Sequence, residues 1–264
     1  MKKLTQSQIQ EVIDSYLSGE SSEKIAIKFG VSGTAIRSLL KRRGIACRNQ
    51  SLAQRRYSLN EQAFEVITRD CAYWVGFLIS DGCIINRSGN RGKAELRIKL
   101  SEKDKGHIEK LKQFLSTDAP IKLDESKGRY LGGNEAYYLT LYSQKLCESL
   151  KKQGLNEERI LPQGVKYSPD FWRGVVDGDG YILSAKKSRV ELVGDLLLLT
   201  QFLQFISTIC PECCASVLPH KSIYRVQLSG LFAQVLIDCL YKDAPTYLER
   251  KNPFSPIGAA LETL

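Results

Sequence analysis

Along this 264-residue chain, short stretches in which apolar and polar residues alternate are separated by longer ones in which apolar residues recur every three or four positions. The first pattern predicts strands and the second helices. Ala94-Glu-Leu-Arg-Ile-Lys-Leu100 alternates strictly, so Leu96, Ile98 and Leu100 share one strand face and Glu95, Arg97 and Lys99 the other. A helical stretch from Asp104 to Leu115 follows, then strands near Ile121–Leu123 and Tyr137–Tyr142 and a helix from Gln144 to about Gln153. The same order returns as a strand Arg189–Val193, a helix Leu196–Ile209, strands Ala215–Leu218 and Tyr224–Leu228, and a helix Leu231–Tyr241. In the last strand Val226 and Leu228 point inward, leaving Arg225, Gln227 and Ser229 outward. With an apolar helix and a first strand before each set, both halves read α-β-β-α-β-β-α. The fold class is therefore α+β, built from two pseudo-symmetric repeats with antiparallel sheets.

The helix that opens each half carries one short pattern written twice. Trp74-Val-Gly-Phe-Leu-Ile-Ser-Asp81-Gly82 precedes Cys-Ile, and Trp172-Arg-Gly-Val-Val-Asp-Gly-Asp179-Gly180 precedes Tyr-Ile. Gly76 and Ser80 are four apart and share a helix face, as do Gly174 and Gly178. Small residues on that face let two helix backbones approach closely. Both aspartates then sit at the bottom of one helix pair, where close carboxylates repel and a divalent cation relieves them. An Asp-Gly pair taken alone is equally a plain turn between helix and strand. Its recurrence 98 residues on, the length of a small domain, favours a duplicated site.

These residues resemble the LAGLIDADG homing endonucleases, specifically the single-chain kind with two motifs, from about Asn60 to the C-terminus, with repeats at 60–165 and 166–264. The eighth motif position, which holds the metal-binding acid in that family, is Asp81 in one copy and Asp179 in the other. The sixth, usually acidic, is Ile79 and Asp177. The resemblance implies a saddle of antiparallel sheets that enters the major groove, with Glu95, Arg97, Lys99, Tyr138, Thr140, Arg189, Glu191, Arg225, Gln227 and Ser229 toward DNA. From the residues alone, that face is also compatible with an ordinary solvated sheet. Further implications are a Mg²⁺-dependent double-strand cut, with Ca²⁺ or Mn²⁺ as substitutes, and catalysis by Asp81 and Asp179, once per strand. The family places a basic residue after the last helix of each half, and the best matches are Arg159 and Lys251. A monomer, a long asymmetric target, cohesive 3′ ends and an intron or intein host are also expected.

Residues 1–46 form a separate pattern. Thr5–Leu17 is amphipathic, with Ile9, Val12, Ile13, Tyr16 and Leu17 apolar; Ser22–Lys28 carries Ile25, Ala26 and Ile27; Phe29-Gly30-Val31 turns the chain; and Ser32 caps a third helix with Ile36, Leu39 and Leu40 inward. The stretch resembles the helix-turn-helix of resolvase-like DNA-binding domains. That likeness places Ser32, Thr34, Arg37, Ser38 and Lys41 in the groove and Arg42 and Arg43 on phosphates. Residues 47–59 read as a basic linker, whose Arg55 and Arg56 track the backbone or a minor groove.

Charge agrees with a polyanion partner, since the net charge is +9 and residues up to Arg56 hold 11 Lys and Arg against 4 Asp and Glu. No run approaches the roughly 18 apolar residues of a membrane span, and the N-terminus lacks an apolar signal core, so an intracellular protein that is not secreted is expected. Of eight cysteines, Cys210-Pro-Glu-Cys213 has half a zinc spacing but no matching second half. Two histidines leave little for nucleophilic chemistry, and Asp177-Gly-Asp179-Gly180 lacks the later glutamate of a calcium loop. The expected partner is double-stranded DNA, with RNA secondary. Competing readings are a DNA-binding regulator that kept the fold without cutting, and an RNA maturase assisting intron splicing.

Overall fold

In a computed structural model of the chain, residues 4–47, 57–86, 94–125, 135–184 and 188–256 are described. They fall into two compact units, Met1–Arg56 and Tyr57–Leu264.

The first unit is three short helices. α1 (Gln6–Leu17) starts with a capping box between Thr5 and Gln8, and α2 (Ser22–Phe29) is capped by the Ser21 side chain. Gly30, at φ 65°, ends α2 in the left-handed region that only glycine adopts without strain. α3 (Gly33–Arg42) begins where the Ser32 side chain accepts from the Ala35 N–H. Val12, Tyr16, Ile25, Ala26, Phe29, Ile36 and Leu40 form its core. Two residues expected on the apolar side are not in it: Ile27 is 82% exposed and Leu17 69%. Ile27 lies two residues, about 200° of helix rotation, from Ile25, which places it on the far side of α2.

The second unit is built around α4 (Arg69–Asp81) and α8 (Pro169–Asp179), whose N-termini are capped by Thr68 and Ser168. Each runs directly into the first strand of a four-stranded antiparallel sheet. In the first half these are β1 (Gly82–Asn86), β2 (Ala94–Ser101), β3 (Lys122–Leu123) and β4 (Ala136–Tyr142), in spatial order β1-β2-β4-β3. The second half repeats this with β5 (Gly180–Leu183), β6 (Arg189–Gly194), β7 (Leu218–His220) and β8 (Ile223–Ser229), in order β5-β6-β8-β7. α5 (Lys105–Phe114) and α6 (Gln144–Lys152) accompany the first sheet, α9 (Leu196–Ile209) and α10 (Gly230–Tyr241) the second, and the short α7 (Gln163–Lys166) leads into α8. The pattern of the sequence is thus realised as two repeats of one α+β unit.

Differences from the sequence reading have local causes. β7 starts three residues and ends two residues later than the expected Ala215–Leu218 because the chain reverses at Lys221, whose φ of 54° fixes the β7–β8 register. Tyr57 and Ser58, read as linker, bond into the second unit: the Tyr142 N–H donates to Tyr57 Oη at 2.7 Å and Ser58 Oγ donates to Asp118 at 3.0 Å. Leu96, Ile98 and Leu100 are buried as the alternation requires, but so is Glu95, at 1% exposure. It sits between Ile85 and Tyr142 on the neighbouring strands and accepts from Arg97 at 2.8 Å.

Candidate active site and nucleic-acid interface

The site follows from how closely α4 and α8 pack. A Cβ on Gly76 would stand 2.0 Å from the Phe171 carbonyl oxygen, and one on Gly174 2.1 Å from that of Tyr73. No side chain fits in either place, so glycine permits backbone contact between the helices. One turn further, a Cβ on Gly178 would lie 2.3 Å from Ser80 Cβ, and Ser80 Oγ donates to the Val175 carbonyl at 3.2 Å. The four small residues therefore all lie on the helix interface. Asp81 and Asp179 end the two helices immediately below it.

That position is electrostatically poor for an anion. Both carboxylates sit at helix C-termini, the negative end of the macrodipole. Burial first, then the charge of Asp179, pushes the Asp81 carboxyl up to about 6. Burial also raises Asp179, against a Ser80 hydrogen bond and the charges of Lys251 and Arg159. Folding thus holds two acids together at a cost, which marks a functional site more than a structural one.

Two cations answer them differently. Lys251 Nζ donates to the carbonyls of Val176, Gly178 and Gly180 at 3.0, 3.2 and 2.7 Å, and burial lowers it to about 8. All three of its protons are directed at the end of α8, so in this state Lys251 holds the helix terminus beside the acids. Arg159 lines a cleft of about 730 Å³ together with Asp179, Asp195, Leu196 and Ile223, and pairs with Asp195 at 3.0 Å. The two were matched to each other by sequence, but the geometry pairs Arg159 with Arg250. Arg250 binds Asp104 at 2.9 and 3.0 Å as Arg159 binds Asp195, and both acids stand at the N-cap of the helix after the second strand. Six residues into those helices, Lys110 holds the Tyr247 carbonyl and Gln201 that of Arg159. Among the described residues, no side-chain cation binds the Leu78, Ser80 or Gly82 carbonyls as Lys251 binds their counterparts.

Sequence reading gave Asp177 no role beyond its motif position. Fully buried, it accepts from Tyr73 Oη, Tyr241 Oη and the Leu248 N–H, each at 2.7 Å. Burial raises it while these donors oppose the rise. Because Tyr73 gives its proton to Asp177, His107 Nε2, 2.8 Å away, is the donor to Tyr73, and burial takes that imidazole down to about 3. Nothing in the local pattern marks Tyr73, Tyr241 or Leu248, which come from three distant segments.

On the sheets, Arg97 and Thr140 are register neighbours, and the Arg97 guanidinium lies 5.9 Å from the Tyr138 ring centroid. Lys99 pairs with Asp124. In the second half, Glu191 meets Arg189 at 3.3 Å and Arg225 at 3.8 Å, while Arg189 also donates to Gln227 at 2.5 Å and Ser229 lies beside Arg189 in register. Nε of Arg97, Arg189 and Arg225 and Oγ1 of Thr140 are buried without a hydrogen-bond partner, each a cost on the order of 1 kcal/mol.

In the first unit, Ser32 serves as a cap, and Arg37 is held by neighbouring side chains. Its guanidinium pairs with Glu23 at 2.5 Å and reaches Ser22 and Thr34, tying α3 to α2. Ser38 and Lys41 are exposed; Arg42 bonds the Ser38 carbonyl and Arg43 reaches Gln6. Arg55 and Arg56 lie outside the described residues. All eight cysteines are free thiols, and no cluster of three or more His, Cys, Asp or Glu side chains suited to a metal occurs among the described residues. No described helix is long and apolar enough to cross a membrane.

No family model and no curated protein matches the chain. Among solved structures it is similar to the homing endonuclease I-DmoI in complex with DNA and Ca, at 21% identity over 78% of this chain and 100% of that one, with a TM-score of 0.48. Similar too are the I-LtrWI LAGLIDADG homing endonuclease bound to target DNA (9% identity, 77% and 91% covered, TM-score 0.48) and the LAGLIDADG meganuclease I-AabMI bound to uncleaved DNA (15%, 75% and 91%, TM-score 0.47). At such identities and TM-scores the likeness transfers no residue roles.

Proposed function

We propose that the chain is a site-specific DNA endonuclease of the homing type, which cuts both strands with the help of a divalent cation, Mg²⁺ in the first instance. The observation that carries this reading is the backbone contact at Gly76 and Gly174, which forces Asp81 and Asp179 together at two helix C-termini. The donor set fits such a cation. Mg²⁺ takes one or two carboxylates and completes its shell with water and phosphate oxygens, and here two desolvated carboxylates stand without a third acidic ligand among the described residues. When bound, the cation supplies an activated water and neutralises charge on the phosphate.

The remaining work falls to the chain's own residues. Asp81 and Asp179 would hold the cation, each acid serving one strand. Lys251 fixes the end of α8 and adds positive charge beside both acids. Arg159, open to the cleft next to Asp179, is placed to meet a phosphate oxygen. The sheet faces follow the groove, and the first unit adds groove contacts through Ser38 and Lys41 and phosphate contacts through Arg42 and Arg43.

The test is incubation of the full chain with a plasmid library carrying randomised inserts, with Mg²⁺ or with EDTA. Linear product in Mg²⁺ alone, traced by sequencing to one insert class and lost in Asp81→Asn and Asp179→Asn, is the expected result. Retention of one insert class without any cut, in every divalent metal tried, would instead mark a DNA-binding regulator.

A further inference from the structure

The two sheet faces carry the same charged residues in opposite order. Register places Arg97 between Cys83 and Thr140, and Glu191 between Tyr181 and Gln227. Cys83 and Tyr181 each follow the glycine after their own aspartate, so these two rows stand equally far from the acids. In the next row outward, Glu95 lies between Ile85 and Tyr142, and Arg189 between Leu183 and Ser229. The first half therefore has arginine in the nearer row and glutamate in the farther, and the second half has the reverse.

Within each pair the two side chains are not equals. Arg97 and Arg189 are each 42% exposed, whereas Glu95 is 1% and Glu191 20% exposed. The arginines face outward and the glutamates hold them from the sheet. Arg97 is further steadied against the Tyr138 ring, and Arg189 by Gln227. In neither arginine does Nε hold a partner, so a swing of the guanidinium toward a base edge gives up nothing there. A guanidinium presented this way matches the O6 and N7 acceptors of guanine.

Resting on the endonuclease reading above, we infer that Arg97 and Arg189 are the guanine-reading residues of the two half-sites, positioned by Glu95 and Glu191, and that the guanine read by the second half lies about two base pairs farther from the centre of the target than the one read by the first. The offset follows from geometry: two residues along a strand advance about 7 Å, and two base steps of about 3.4 Å cover the same length.

The experiment is enrichment of a randomised duplex DNA library on the full chain in EDTA, followed by sequencing. The expected result is one preferred guanine on each side of the centre, offset by about two base pairs. Exchanging the second pair, with Arg189→Glu and Glu191→Arg together, gives that half the order of the first and moves its guanine inward by the same distance. Should the exchanged protein fail to fold, Arg97→Met and Arg189→Met supply the readout, each lowering enrichment of its own guanine about tenfold and leaving the other. Guanines equidistant from the centre, or a pattern indifferent to these variants, would overturn the inference and leave the DNA reading intact. Failure to enrich any duplex would overturn both.

Discussion

The helix pair and the sheet faces have fared differently under duplication. Along α4 and α8 the small residues and terminal aspartates match in kind, because two backbones in contact leave no volume to vary. Across the sheets the matched rows hold opposite charges, because each arginine can pair with a glutamate two residues away along the strand in either order. Between these extremes lies the sixth motif position. Asp177 gathers three donors from distant segments, while its counterpart Ile79 is simply buried. Close packing preserved the symmetry of the fold, and the chemistry around it drifted.

Breaking that contact has the largest expected effect. Gly174→Val places atoms inside the van der Waals radius of the Tyr73 carbonyl and should cost at least about 3 kcal/mol, read as a large fall in Tm or loss of soluble protein. Removing the acids separates stability from activity. Asp81→Asn should abolish cleavage yet raise the Tm of the metal-free protein at pH 7.5, since the folded state holds this carboxylate near 6. An unfolded aspartate ionises near 3.8, so above about pH 6 the native state bears the full penalty of the charge and below about pH 4 none. The stability gain of Asp81→Asn over wild type should therefore grow from pH 4 to pH 6 and then level, reaching about 1–3 kcal/mol; a gain independent of pH would sink the electrostatic account.

Asp177→Asn tests the asymmetric position. Keeping the shape while turning one acceptor oxygen into a donor should cost about 1–3 kcal/mol by chemical denaturation, a cost that shrinks as pH rises because burial raises this carboxyl too. Smaller still is the contrast between the two straps. Arg250→Gln breaks a two-bond pair to a buried Asp104 and should cost more than Arg159→Gln, whose pair is about two-fifths exposed and is worth about 1 kcal/mol or less. Cleavage should rank the other way, because Arg159 opens onto the cleft.

Much of this was legible in the sequence wherever the signal was local. α9 runs from Leu196 to Ile209 as its apolar pattern predicts, and the order of strands and helices in both halves could be read directly. The acids were legible because they were written twice. Burial of Glu95 was not, since strand alternation gives parity and is blind to what flanks a residue in the sheet. The match of Arg159 to Arg250 was equally hidden: it depends on acids 36 and 146 residues away along the chain. The tie of Arg37 to α2 was hidden as well, because its partner Glu23 belongs to the preceding helix.

The hydrogen bond from the Leu248 amide to Asp177 makes the seating of one turn depend on both halves. The turn that delivers Lys251 docks on a carboxylate whose other partners come from the first helix of one half and the last helix of the other, so it can seat only after both halves have come together. A chain lacking either half would therefore lose the seat of this lysine, and with it the cation that steadies the acids.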